Sequence, residues 1–252
     1  MRIKALIFDV DGTLADTEEA HRHAFNQAFE EHGLGWYWSK PVYARWLEVT
    51  GGKERLAAFL DSLALEASEH EAQSRRIPAI HRTKTSLYAG LIRDGRVPLR
   101  QGIARLIEDA GSAGVSLAIA STTTRENIDA LLCTHFGELA LERFSVIGAA
   151  DAVLRKKPAP DIYEYVLREL RESAADCIAI EDSALGLAAA KGAGLFTVIT
   201  PSEWTRREDF SGADLLLTSF ESCDRPLLEL EYAFSTNALA AVRFGVNRKW
   251  GG

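Results

Sequence analysis

A short, almost wholly apolar run, Ile3 to Phe8, ends abruptly in Asp9-Val10-Asp11-Gly12-Thr13, and this junction limits the folds open to the chain. An apolar run of that length, closed by a glycine-containing turn, predicts a strand buried on both faces, as in a sheet covered by helices on either side. The two carboxylates stand two residues apart, so in extended backbone both point to the same side. Carboxylates that close repel, and both stay ionised only beside a cation or strong donors. Gly12 lets the chain turn sharply and brings backbone amides near a ligand. Acidic groups at the carboxyl end of a buried strand also sit where open α/β sheets bind ligands. The bland alternative is an acidic turn that merely closes the strand.

Beyond this junction the chain has two textures. Asp16 to Gly33 carries Ala20, Ala24, Phe25, Ala28 and Phe29 at helical spacing. Pro41 to Glu48, Lys53 to Leu63 and a long stretch from Glu66 to Ile92, broken before Pro78, read as further helices. Trp36, Tyr37 and Trp38 are expected to pack inside this helical block rather than form a binding platform. From Val97 onward strands and helices alternate, with strands at Val115 to Ala120, Phe144 to Ile147, Cys177 to Ile180, Leu195 to Ile199 and Asp214 to Leu217. The intervening helices are Gly102 to Ala113, Arg125 to Phe136, Pro160 to Arg171 and Leu185 to Gly192. Such alternation implies a largely parallel sheet with right-handed crossovers. The expected organisation is an α/β core from residues 1–15 and 95–252, interrupted by an all-helical unit at 16–94. Within the core, 224–252 reads as a partly helical tail whose polar, glycine-ended terminus is expected to be disordered.

A net charge of −7 argues against nucleic acid or an anionic membrane as the main partner. Three scattered cysteines without a CxxC give neither a zinc framework nor a disulfide scaffold, which suits a reducing compartment. No apolar stretch is long enough to span a bilayer, and with the first strand starting by Ile3 no signal or transit peptide is expected within this sequence. A monomeric cytoplasmic protein is expected, with a plastid location compatible if a leader was removed.

Four polar clusters cap four apolar runs: Asp9/Asp11, Ser121/Thr122, Lys156/Lys157 before Pro158, and Glu181/Asp182. Parallel strands gather such ends along one edge of the sheet. Separately, Ser121 is a helix cap, Lys157 a solvated loop lysine and Glu181/Asp182 another cap. Together they supply carboxylates, a hydroxyl and an ammonium, an inventory that suits Mg²⁺ and phosphoryl transfer.

Phe8-Asp9-Val10-Asp11-Gly12-Thr13-Leu14, the Ser121 strand end, Lys157-Pro158-Ala159-Pro160-Asp161 and Glu181-Asp182-Ser183 resemble, in order, the four motifs of the haloacid dehalogenase superfamily. The resemblance implies a Rossmann-like core with a helical cap inserted after the first strand. It implies Asp9 as the nucleophile that forms an aspartyl phosphate. Asp11 would be the acid that protonates the leaving oxygen and the base that activates water. It also implies that Mg²⁺ is held by the Asp9 side chain, the Asp11 carbonyl and Asp182, supported by Glu181. Ser121 and Lys157 would hold the phosphoryl oxygens.

The helical block offers Glu18 with His21, three apart on one face, then Gly51 and Gly52 ahead of Lys53 and Arg55, and Lys84. The glycines expose amides at a helix start, which suits an anion, and the cations add donors. The plain alternative is a hinge and a solvated charged face. These residues, with Tyr43 and Thr122, resemble those of the CbbY-type sugar-bisphosphate phosphatases, which hydrolyse xylulose 1,5-bisphosphate, an inhibitory Rubisco by-product. That resemblance implies a substrate phosphorylated at both ends. The alternatives are a β-phosphoglucomutase-like mutase, a phosphoglycolate-type phosphatase and a sugar-phosphate-binding regulator without turnover.

Overall fold

The computed structural model describes residues 2–221 and 223–236. In chain order, β1 (Ala5–Phe8) leads into five helices: α1 (Glu18–Glu31), α2 (Lys40–Trp46), α3 (Gly52–Asp61), α4 (Ala67–Ser74) and α5 (Ile77–Arg93). Then come α6 (Ile103–Ser112), β2 (Ser116–Ala120), α7 (Arg125–Phe136), β3 (Phe144–Gly148) and α8 (Asp161–Leu170). The described chain closes with β4 (Cys177–Glu181), α9 (Ala184–Gly192), β5 (Phe196–Ile199), β6 (Leu215–Leu216) and α10 (Pro226–Thr236). The terminal segment expected to be disordered lies outside the described residues. No helix among the described residues is long and apolar enough to cross a membrane.

The chain divides into two compact units: Met1–Asp16 with Leu99–Ser121 and Glu142–Gly252, and Thr17–Pro98 with Thr122–Leu141. The first unit is a Rossmann-like six-stranded sheet of order β3-β2-β1-β4-β5-β6, parallel throughout. The chain works outward from β1 in both directions, so the crevice beyond its carboxyl end is the topological switch point. Phe8, the last residue of β1, is level with Ile119 and Ile180. The next position therefore brings Asp9 to the same edge as Ala120 and Glu181.

Alternation explains the core. Ala5 and Ile7 join Ala118, Ala120 and Ala179 on one sheet face, covered by Ile162, Tyr163 and Val166 of α8 and Ala189 and Ala190 of α9. Leu6 and Phe8 point the other way and are equally buried. Removing a side chain the size of Ile162 or Val166 from water contributes about 1.5–3 kcal/mol, so the face that seats α8 is strongly specified.

The helical unit is built around Trp38, which is fully buried. Its ring centroid lies 4.8 Å from Phe25, 5.0 Å from Phe29 and 5.3 Å from Phe59. Trp36 meets Phe29 and Phe59 edge-on, whereas Tyr37 is exposed. The long helical stretch breaks at Arg75 and Arg76, and Pro78 takes the first turn of α5, where its missing N–H leaves no hydrogen bond unmade. Thr122–Leu141, which strand–helix alternation assigns to the core, belongs to this unit because α7 packs on α5.

Candidate active site

The loop after β1 is held by its own backbone. The amides of Thr13, Leu14 and Ala15 converge on the Val10 carbonyl, and the Gly12 amide donates to the Ala15 carbonyl at 2.9 Å. This tight turn needs Gly12 at a φ of 80°, a left-handed conformation that glycine adopts without a Cβ clash. Asp9 leaves the strand with its amide still bonded to the Ile180 carbonyl at 3.0 Å, which fixes the position of its carboxylate. Asp9 is buried and Asp11 half-buried.

Lys157, from the loop before α8, is only 4% exposed. Its Nζ donates to Asp9 Oδ1 at 2.6 Å and to Glu181 Oε1 at 2.5 Å. Lys156, the neighbouring alternative, is half-buried. Glu181 ends β4 and Asp182 follows it, both buried. The Ser183 side chain caps α9 by accepting from the Gly186 amide at 3.1 Å. Asp182 Oδ2 accepts from Thr205 Oγ1 at 3.1 Å. Ser121, one residue past β2, is buried, with its amide donating to the Gly148 carbonyl at 3.0 Å.

Burial pushes the Asp9 carboxyl up to about 7, and the Glu181 and Asp11 charges add to the rise while Lys157 opposes it. Burial would lower the Lys157 ammonium, but the Asp9 and Glu181 charges hold it above the ordinary lysine range. The two shifts agree once the stoichiometry is considered. One ammonium serves two carboxylates, so it stays charged while one carboxylate is left short of compensation.

Asp9, Glu181 and Asp182 each present a carboxylate oxygen within 4.8 Å of the others. Three carboxylates against the one ammonium leave two uncompensated negative charges when all are ionised. A Cβ on Gly12 would fall 2.3 Å from Asp182 Oδ2, so the loop's glycine makes the room this carboxylate occupies. An all-oxygen, doubly negative donor set fits a hard divalent cation such as Mg²⁺.

Three residues of this centre carry no sequence signal for it. Tyr163 reads as one more apolar contact on the buried face of α8, yet its hydroxyl donates to Glu181 Oε1 at 2.7 Å. Burial and the Glu181 charge hold that phenol well above its usual range, so it remains a donor. Arg100 belongs to no motif. Its guanidinium donates to the carbonyls of Gly12, at 2.5 Å, Thr200, at 2.7 Å, and Pro201, at 3.0 Å. Thr205, the partner of Asp182, also accepts the Ser202 amide at 2.9 Å.

In the helical unit the expected ligand residues form two sets. Tyr43 donates to Glu18 Oε2 at 2.7 Å and accepts from Arg55 at 2.8 Å, while Arg55 Nε reaches the Val49 carbonyl at 3.2 Å. Arg55 is thus buried and engaged, whereas Lys53 is exposed. In the second set Lys84 Nζ lies 2.6 Å from His21 Nδ1, and Tyr88 stacks on the imidazole at 3.8 Å. An ammonium only donates, so Nδ1 is the acceptor and the imidazole carries its proton on Nε2. Gly51 has a φ of 90°, and a Cβ on Gly52 would meet the His81 ring at 2.5 Å. Thr122 is half-buried just beyond Ser121.

Residues 3–194 match the family model for haloacid dehalogenase-like hydrolases. The chain is 51% identical to Protein CbbY of Rhodobacter capsulatus over 214 residues, 85% of this chain and 92% of that protein. The crystal structure of CbbY from Rhodobacter sphaeroides in complex with phosphate is 47% identical, with a TM-score of 0.80 over 87% of this chain and 95% of that one. A mutant of the same protein in complex with xylulose-(1,5)bisphosphate matches equally well, at 47% identity and a TM-score of 0.80. The chain therefore belongs to the haloacid dehalogenase-like hydrolase family, and it is an enzyme of the phosphatase type.

Proposed function

We propose that this enzyme is a Mg²⁺-dependent sugar-bisphosphate phosphatase that hydrolyses xylulose 1,5-bisphosphate through an aspartyl phosphate on Asp9. The observation that carries the reaction is the buried Lys157 ammonium between Asp9 and Glu181. It holds positive charge where a phosphoryl group meets a carboxylate nucleophile.

In the first half-reaction an Asp9 oxygen bonds to phosphorus as the phosphorus–oxygen ester bond breaks, and Asp11 gives its proton to the departing sugar oxygen. In the second, Asp11 takes a proton from water, whose oxygen displaces Asp9 and releases inorganic phosphate. Both residues return to their starting states. Lys157 and Ser121 hold the equatorial phosphoryl oxygens throughout. The Asp9 and Asp182 carboxylates and the Asp11 carbonyl would hold Mg²⁺, with Glu181 in support. Bound there, the ion would supply Lewis-acid charge to phosphoryl oxygens and favour the ionised form of Asp9.

The substrate reading rests on the relatives and on the chemistry of the helical unit. A solved CbbY structure carries the bisphosphate. Here Gly51 and Gly52 open α3 beside the exposed Lys53, which suits a second phosphate. Glu18, held by Tyr43, offers an acceptor for sugar hydroxyls, and the imidazole of His21, held by Lys84, stands one helical turn along the same face of α1. Arg55 serves this set through Tyr43.

The test is phosphate release from a panel of sugar mono- and bisphosphates with Mg²⁺. Release fastest from xylulose 1,5-bisphosphate, and absent in Asp9→Asn, is the expected result. Isomerised sugar phosphate without release would favour a mutase. Binding without turnover would favour a regulator.

A further inference from the structure

Tyr163 is a core residue with an unusual duty. Its ring is fully buried between α8 and the sheet, packed with Ile162, Ala118 and Ala179. Phenylalanine would fill that space without a polar atom to satisfy. The hydroxyl instead reaches Glu181 Oε1, an oxygen that already accepts from Lys157 at 2.5 Å. The same ring lies 5.1 Å from the Lys157 ammonium, within cation–π range. One side chain thus contacts both members of the buried ion pair.

The far side of Glu181 is equally constrained. Its Oε2 lies 3.3 Å from the Asp182 amide, and a Cβ on Gly186 would fall 1.9 Å from that oxygen. The carboxylate is therefore seated against bare backbone in the first turn of α9, with Tyr163 and Lys157 on its other oxygen. We infer that Tyr163 is a positioning residue: its hydroxyl fixes the Glu181 carboxylate so that Glu181 shares the Lys157 ammonium with Asp9 and keeps an oxygen aimed at the cation centre. Without the hydroxyl, Glu181 loses a donor, draws harder on Lys157, and is free to turn into the space left behind. Its catalytic consequence rests on the phosphatase reading above; its consequence for cation binding does not.

The experiment compares the full-length wild type with Tyr163→Phe, which keeps the ring and deletes only the hydroxyl. Mn²⁺ binding to metal-free protein, read by electron paramagnetic resonance, should weaken about tenfold, in the range for outer-shell partners of metal ligands. With an aryl phosphate, kcat should fall about tenfold while KM stays within about twofold, as expected for a group acting after binding. Melting temperatures by calorimetry separate this from general damage. Gly186→Ala, which crowds the same carboxylate from the opposite side, should weaken Mn²⁺ binding too and serves if Tyr163→Phe does not fold. Unchanged Mn²⁺ affinity in the variant overturns the inference, whatever its melting temperature. A wild type that releases no phosphate would overturn the functional reading, while the Mn²⁺ comparison would still decide the role of Tyr163.

Discussion

Asp9 Oδ1 and Lys157 Nζ stand 2.6 Å apart in a buried site although 148 positions separate them in the chain. Nothing local brings them together. β1 delivers the carboxylate to the sheet edge, and α8, seated by Ile162 and Val166 against the neighbouring strands, places the loop that carries the lysine. Packing across the sheet thus sets the electrostatics of the site.

Removing the Lys157 charge leaves Asp9 and Glu181 facing each other in a buried site. Deleting one partner of a buried ion pair costs about 3–5 kcal/mol. Lys157→Met should lower the melting temperature of metal-free protein and cut kcat by about a hundredfold or more. Lys157→Arg should not restore activity, because a planar guanidinium cannot replace a point charge held at 2.5 Å and 2.6 Å from two carboxylates. Calorimetry and phosphate release measure the two effects, and an active arginine variant would contradict this geometry.

Asp9 also makes the metal-free protein sensitive to pH. Its carboxyl lies at about 7 when folded, against 3.8 as the ordinary value. The folded state therefore binds the proton more tightly than the unfolded one. The resulting stabilisation is complete below about pH 4 and is lost as pH rises through about 7. In chelator, wild-type stability relative to Asp9→Asn should fall between about pH 4 and pH 7 and level off above. Saturating Mg²⁺ should remove that fall, because a cation favours the ionised carboxylate. Parallel pH profiles for the two proteins in chelator would show that Asp9 carries no such shift.

The arrangement of strands was legible because β1, β2 and β4 each end where an apolar run meets a polar cluster, and strands and helices alternate thereafter. Arg125–Phe136 forms α7 with the very bounds its periodicity predicts. Asp9, Glu181 and Asp182 meet as the strand-end argument requires, because β1 and β4 are parallel neighbours, whereas Lys157 reaches them from the loop ahead of α8, well past the end of β3. Helix starts were less legible than stops: α1 begins at Glu18 rather than Asp16, whereas Gly33, at a φ of 64°, ends it as a glycine there should, with the Gly33 and Leu34 amides bonding back to the Glu30 and Phe29 carbonyls. Tyr163, Thr205 and Arg100 were not legible as site residues. Their roles depend on one hydroxyl or one guanidinium meeting a partner far along the chain, and neither periodicity nor short motifs record such meetings. Arg55 shows the converse. A cation beside a glycine pair suggests phosphate binding, and only coordinates reveal that Tyr43 and the Val49 carbonyl already occupy it.

Arg100 ties the loop after β1 to the segment after β5. Its side chain is 11% exposed and bonds three backbone carbonyls, one of them that of Gly12. Arg100→Met keeps much of the apolar stem and strands those acceptors. Each buried acceptor left unpaired costs about 1–3 kcal/mol, reduced where water enters. A loss of about 2–4 kcal/mol in chemical denaturation is expected. A fall in kcat should accompany it at temperatures where the variant is fully folded. Full activity in a folded variant would show that the staple supports the fold alone.

Gly12 and Gly33 separate backbone strain from crowding at the site. Both have positive φ, 80° and 64°, so alanine costs each about 1 kcal/mol through conformation. They differ in surroundings. A Cβ at Gly33 meets nothing within 4 Å, whereas one at Gly12 falls 2.3 Å from Asp182 Oδ2 and 2.7 Å from its Cγ. Thr205 donates to the same Oδ2 at 3.1 Å, so moving that oxygen away from Gly12 disturbs this hydrogen bond. Gly33→Ala should lower stability slightly and leave kcat and Mn²⁺ affinity within about twofold, as for a strained but uncrowded site. Gly12→Ala should lose Mn²⁺ affinity by about tenfold or more and lose turnover with it. Equal behaviour of the two variants would mean that conformation alone demands glycine after Asp11, and that Asp182 has room the structure does not show.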